Sequence, residues 1–234
     1  MVPIDEELNK KLEALWVQGK YEEILDLSNS RQGVVNKDFE IFALTHLGRF
    51  DEALDICIKF EKLFSINNKY KAKIANHFGS IYYQKGDIDN ALLYFIKVYD
   101  IFKTSNDKKS LAVALNNIAL VYGTKGDMEH SLQFHLKAYH LRADIGDKPE
   151  ISQSLVNIGK IYYNMGDLDK ALDYYKQGLK IQIEDDHQLY MGLTLNYLGK
   201  TYQSKGKLQK ALKSYKKCYE ITLKQGSQQK LCFC

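Results

Sequence analysis

The chain has 234 residues, 45% hydrophobic and 26% charged, with 33 basic against 29 acidic side chains and a net charge of +4. That composition is enough for a sizeable core, and the mild charge argues against nucleic acid as a partner. Arginine is scarce, at Arg31, Arg49 and Arg142, and two prolines among abundant Leu, Ala, Lys and Glu favour helix over sheet.

The N-terminal stretch MVPIDEELNKKLEALW is charged and lacks the apolar centre of a signal peptide. No apolar run approaches the length of a membrane span, so a cytoplasmic location without membrane insertion is expected. Residues 1–66 carry two shortened repeat units. Gly19 in LWVQGKYEEILDL is followed by Ile24 and Leu25, and Gly48 in LTHLGRFDEALDICIKF by Ala53 and Leu54. Trp16 and Tyr21 are expected to pack near the open end of the first unit. Pro3 and Pro149 suit first helical turns, where a missing amide costs little.

Residues 67–226 contain four regular units. Gly86, Gly126, Gly166 and Gly206 stand 40 residues apart. Four residues before each lies Tyr82, Tyr122, Tyr162 or Tyr202; seven before, Gly79, Ala119, Gly159 or Gly199; eight before, Phe78, Ile118, Ile158 or Leu198. Five and six after come Ala91-Leu92, Ser131-Leu132, Ala171-Leu172 and Ala211-Leu212. Offsets of three, four, seven and eight on both sides of a glycine predict two amphipathic helices joined by a tight turn. The glycine supplies a backbone conformation that a side chain resists, and Asp87, Asp127 and Asp167 after it are placed to cap the second helix. The small residues let the paired helices approach. The paired acids Asp167 with Asp169 and Asp185 with Asp186 are expected at helix starts, where they complement the dipole. The expected fold is all-α: a right-handed α-solenoid of about six antiparallel helix pairs.

These positions resemble the tetratricopeptide repeat family, which sets a small residue, then tyrosine, then a small residue and an aromatic in the second helix. The last two are Ala91 with Phe95, Ala171 with Tyr175 and Ala211 with Tyr215, whereas Ser131 and His135 take those places in one unit. Ala75, Leu115, Leu155 and Leu195 stand where the family opens with tryptophan. The period of 40 exceeds the usual 34. The extra residues extend the second helix and its connection, read as SNDKKS, IGDKPE and EDDHQL. Such long units are similar to those of Pins-type adaptors, kinesin light chains and bacterial peptide-sensing regulators.

No residues assemble a catalytic site. His130, His135 and His140 advance five positions each time, so no two share a helix face as metal ligands would need. There is no phosphate loop, nucleophile elbow or HExxH. Neither a cofactor nor a metal is expected, and the chain does not read as an enzyme. Cys57 and Cys218 lie in helical patterns and are expected as reduced core thiols.

The resemblance implies that first helices line a concave groove for a peptide or disordered partner segment. On that face fall Lys73, Asn76, His77, Ser80 and Tyr83, then Asn116, Asn117 and Thr124. The next unit gives Gln153, Asn157, Lys160, Tyr163 and Asn164, and the last gives Asn196, Lys200 and Gln203. Asparagine recurs nine or ten residues before the glycine in all four units. An amide both donates and accepts, so an asparagine ladder can hold a main chain regardless of its sequence. The alternative is that these asparagines tie neighbouring helices together. Lys160 and Lys200, one period apart, suggest a ligand with an acidic or carboxylate feature. The positions that chaperone-docking relatives use for a carboxylate clamp hold Asn76, Ser80, Asn117, Gln153 and Asn157, of which only Asn117 matches.

The stretch from Lys200 to Lys230 is lysine-rich with one acid, Glu220, and residues 227–234 form a short tail ending Leu231-Cys232-Phe233-Cys234. That ending resembles doubly prenylated tails, or else is the end of a truncated reading frame. The last unit lacks a polar capping helix, which leaves a face for self-association. The sequence therefore predicts a non-catalytic scaffold or adaptor. The alternatives are a peptide-sensing module without its output domain and a membrane-tethered assembly adaptor.

Overall fold

The computed structural model describes residues 6–29, 34–63 and 68–224, and the Pro3 and Cys232–Cys234 expectations fall outside them. Among the described residues there are twelve helices and no strand. They divide into two compact units, residues 1–104 and 105–234.

The first unit holds α1 (Glu6–Val17), α2 (Tyr21–Asn29), α3 (Val34–His46), α4 (Phe50–Leu63), α5 (Asn68–Lys85) and α6 (Ile88–Phe102). Its core gathers Leu12, Ile24, Ala43, Ala53, Cys57, Phe78 and Ile81. The Trp16 ring is 45% exposed and meets Phe42 edge-on at 5.5 Å, so it is a partial cover over α3. Tyr21 packs on the core and lies 4.9 Å from the His46 ring.

The second unit holds α7 (Lys108–Thr124), α8 (Met128–Ile145), α9 (Lys148–Asn164), α10 (Leu168–Glu184), α11 (Gln188–Ser204) and α12 (Leu208–Lys224). Successive helices pack side by side as antiparallel pairs, and α11 also touches α9.

The turn inside each pair is built from the chain's own amides. Gly126 has φ +82°, its amide bonds to the Gly123 carbonyl at 3.1 Å, and Asp127 N–H reaches back to Tyr122 O at 2.9 Å. This closure satisfies carbonyls that the first helix would leave open, and it needs a left-handed residue. The same Asp-to-Tyr or Lys-to-Tyr bond recurs at Tyr82, Tyr162 and Tyr202, each at 2.9 Å. Asp87, Asp127 and Asp167 then cap the second helices, accepting from Asn90, His130 and Lys170 N–H. Asp107 and Asp147 cap first helices α7 and α9 in the same way. Pro149 sits in the first turn of α9.

Asp185 and Asp186 depart from expectation. They end α10, and Asp186 adopts φ +52° where the preceding second helix uses Gly146 at φ +77°. The next helix starts after His187, which makes no side-chain cap. α10 runs through Glu184, which leaves both acids in the connection.

The repeated small residue has a specific cause. A Cβ on Gly79 would stand 2.6 Å from the Phe95 ring, and one on Gly159 would stand 2.7 Å from Tyr175. Gly199 faces Tyr215 equally closely. The second helix drives its aromatic ring against the backbone of the first, and only glycine leaves the room. The pair with the smaller imidazole, His135, is the one that carries alanine, Ala119. Both are buried, and Ser131 donates to the Ala119 carbonyl at 2.8 Å. The repeated tyrosines stack on second-helix rings, Tyr82 on Tyr94, Tyr122 on Phe134 and Tyr162 on Tyr174, at 5.4 to 5.6 Å.

Two buried polar groups lie on α8. Arg142, 4% exposed, pairs with Glu150 at 2.6 Å and donates to Ser154 at 2.7 Å, which binds α8 to α9. Breaking such a pair leaves an uncompensated charge. The His135 Nδ1 is buried without a hydrogen-bond partner among the described residues. Burial, with the positive charges of Lys160 and Arg142, holds that imidazole down to about 3.

Both core cysteines are buried. Cys57 is a free thiol, pushed up to about 12 by burial and by the charges of Asp38 and Glu61. Cys218 packs in the core of the second unit.

Candidate functional site

First helices carry all the residues expected to face a ligand, and the unit boundary divides them. In the first unit, Lys73, Asn76, His77, Ser80 and Tyr83 lie on α5. His77 Nε2 meets Asp38 Oδ1 of α3 at 2.9 Å, and Lys73 forms an ion pair with the same carboxylate. Burial pushes the Asp38 carboxyl up, but hydrogen bonds from His77 and Lys73, reinforced by their charges, outweigh it and hold it below its ordinary value. Lys73 and His77 are therefore engaged with a neighbouring helix.

Asp38 was not singled out in the sequence, although it stands ten residues before Gly48, the register of Asn76 before Gly86 and of Asn116 before Gly126. The signal was present, but the shortened unit that carries it hid the alignment.

In the second unit, α7 presents Asn116, Asn117 and Thr124. α9 presents Gln153, Asn157, Lys160, Tyr163 and Asn164, and α11 presents Asn196, Lys200 and Gln203. Asn157 donates from Nδ2 to Asn116 Oδ1 at 3.1 Å, a bond between helices one repeat apart. It repeats the His77–Asp38 geometry: the residue nine before one glycine reaches the residue ten before the previous glycine. In these two places the register ties first helices together. Asn157 still keeps a carbonyl and a second N–H, and Asn116 keeps its amino group and a lone pair.

The other positions differ. Thr124 bonds back to the Leu120 carbonyl at 3.0 Å within its own helix. Gln203 accepts from the Tyr215 hydroxyl at 3.0 Å, and Tyr163 shares a 3.1 Å bond with Ser204. Asn196 is 8% exposed, which leaves little of it for a ligand. Gln153 is half-buried on α9.

Between α9, α10 and α11 lies a cavity of about 170 Å³ lined by Lys160, Tyr163, Asn164, Tyr175, Tyr197 and Lys200. The Tyr175 and Tyr197 rings stack at 5.6 Å, and Lys160 Nζ sits 5.5 Å from the Tyr197 centroid. Burial, with Tyr197 and Tyr163 nearby, raises the Tyr175 phenol above its ordinary value, so it stays neutral. Tyr175 and Tyr197 were missed from sequence, since one occupies the core aromatic position and the other replaces an asparagine in the ladder register.

Among the described residues no cluster of His, Cys, Asp and Glu could hold a metal. No described helix is long and apolar enough to cross a membrane.

A family model described as tetratricopeptide repeat matches residues 70–144, 110–184 and 150–224 in three overlapping placements. No curated protein matches the chain. Among solved structures, BtubC (BKLC) from P. vanneervenii is similar with TM-score 0.71 and 16% identity, covering 94% of this chain and 92% of that one. A kinesin light chain-like protein of Podosopora anserina with nearly identical TPR-like repeats gives 0.63 and 14%, covering 89% and 97%. A Rap protein complexed with competence and sporulation factor gives 0.76 and 17%, covering 99% and 69%. At these identities the likeness concerns the fold. With helix pairs, turn glycines and the family model in agreement, the chain belongs to the tetratricopeptide repeat family.

Proposed function

We propose that this chain is a non-catalytic interaction scaffold that holds a peptide or disordered segment of a partner protein along its first helices. The observation that carries it is the row of amide side chains on α7 and α9. Asn117 and Asn157 occupy one register, nine residues before the turn glycine, with Asn116 one position earlier, and the Asn157–Asn116 bond orients both amides while leaving each a donor and Asn157 an acceptor for a passing main chain. Orienting a side chain before binding lowers the entropy lost when ligand arrives. The solved Rap complex, similar in fold, supports the reading to the extent that its ligand is competence and sporulation factor.

Each amide bond to a peptide nets about 1 kcal/mol, so three or four of them fall short of the roughly 8 kcal/mol of micromolar affinity. The remainder must come from pockets beside the row.

The test is a peptide array probed with the full chain, followed by fluorescence anisotropy of the peptides it selects. The Asn117→Ala/Asn157→Ala double variant is expected to bind them about ten- to thirtyfold more weakly, with an unchanged circular dichroism spectrum. Unchanged affinity would move the site off this row.

A further inference from the structure

We infer that the cavity between α9 and α11 is a receptor for an acidic side chain, aspartate or glutamate, of the bound segment; this rests on the groove reading above. Lys160 of α9 and Lys200 of α11 flank it, and neither is ion-paired among the described residues. Other first-helix or turn lysines of this unit are engaged, as Lys148 is with Asp185 and Lys205 with Asp169. No carboxylate lines the cavity. Two ammonium groups left without a counter-charge at one small cavity are complementary to a single anion.

The walls narrow the choice further. Tyr175 and Tyr197 present stacked ring faces, with Tyr163 and Asn164 at the rim. Ring faces suit the methylenes of an acidic side chain, and the lysines suit its carboxylate. Lys160 rests over the Tyr197 ring, which positions its ammonium at the cavity instead of leaving it to sweep through solvent. Polar groups continue along the two helices, Asn157 about one turn before Lys160 on α9 and Gln203 about one turn after Lys200 on α11. That continuity suits a side chain entering from a chain that runs past, in preference to a terminal carboxylate that ends there.

The experiment selects binders from a random twelve-residue library displayed with its C-terminus fused, using the wild-type full chain and the Lys160→Gln/Lys200→Gln variant. Wild-type protein is expected to enrich Asp or Glu at one position. The variant is expected to lose that enrichment and to bind the wild-type winners about ten- to a hundredfold more weakly, with an unchanged melting temperature. Selected peptides without an acid preference, or an equal preference in the variant, would overturn the inference while leaving the groove reading intact. Binders obtained only from a library with free C-termini would overturn it in favour of a terminal carboxylate. No binder from either library would refute the groove reading itself.

Discussion

Placing a methyl group at Gly159 sets two known effects against each other. In an exposed helix, glycine to alanine stabilises by about 1 kcal/mol through backbone entropy. Here the new Cβ would lie 2.7 Å from Tyr175 Cε1 and 2.8 Å from Cδ1, where carbon atoms prefer roughly 3.5–4.0 Å. Tyr175 is 1% exposed and stacked on Tyr197, so its ring has nowhere to turn. Overpacking of this kind costs about 1–3 kcal/mol. Subtracting the propensity gain leaves Gly159→Ala destabilising by about 1 kcal/mol on balance. The chain contains its own comparison, since the same two repeat positions hold Ala119 and the smaller ring of His135, both buried. A double-mutant cycle of Gly159→Ala with Tyr175→His, read from urea midpoints, is expected to give a favourable coupling of about 1 kcal/mol or more. A higher midpoint for Gly159→Ala alone, or no coupling, would refute the steric account of the repeat's small residue.

Two further outcomes are expected. The His135 imidazole is held to about 3, below its ordinary 6.5, so the unfolded chain binds a proton there before the folded chain does. Its contribution is complete above pH 6.5 and erodes by up to ~1.4 kcal/mol per unit as pH falls toward 3. His135→Phe should flatten the fall of the urea midpoint between pH 7 and about 4.5; parallel curves for the two proteins would remove His135 from the account. Asp186→Gly should raise the melting temperature, since it relieves a left-handed backbone costing up to ~1 kcal/mol for the loss of one 3.3 Å contact with Gln188. A lower melting temperature would count against strain at that turn.

The scaffold was legible in the sequence because it repeats. Gly126, Tyr122 and Asp127 each do one job four or three times over at a fixed spacing, and a backbone that closes the same turn leaves the same residues behind. Features that occur once were not legible. Arg142 reads as a surface charge until α9 brings Glu150 and Ser154 to it. Asp185 and Asp186 look like a helix start because acids favour that place, yet they close α10 instead, Asp185 as its C-cap and Asp186 in the left-handed position after it.

The candidate site was half legible for a related reason. Helical spacing gives the face on which Asn157 lies, but its bond to Asn116 depends on how two helices one repeat apart are stacked. The cavity at Lys160 and Lys200 needed the same information. The lysine spacing suggested an acidic ligand, whereas the ring walls came from Tyr175 and Tyr197, which sequence alone assigns to packing and to a broken ladder.

The order of helix contacts has a kinetic consequence. Among the described residues of each unit, the substantial helix contacts are with neighbours or with the next helix but one, so little packing waits for distant chain to arrive. Loop closure is cheap at such separations, and folding can begin at whichever pair forms first and spread to its neighbours. A chain of this kind can also open from one end while the other stays folded, so hydrogen exchange should be graded along its length instead of uniform.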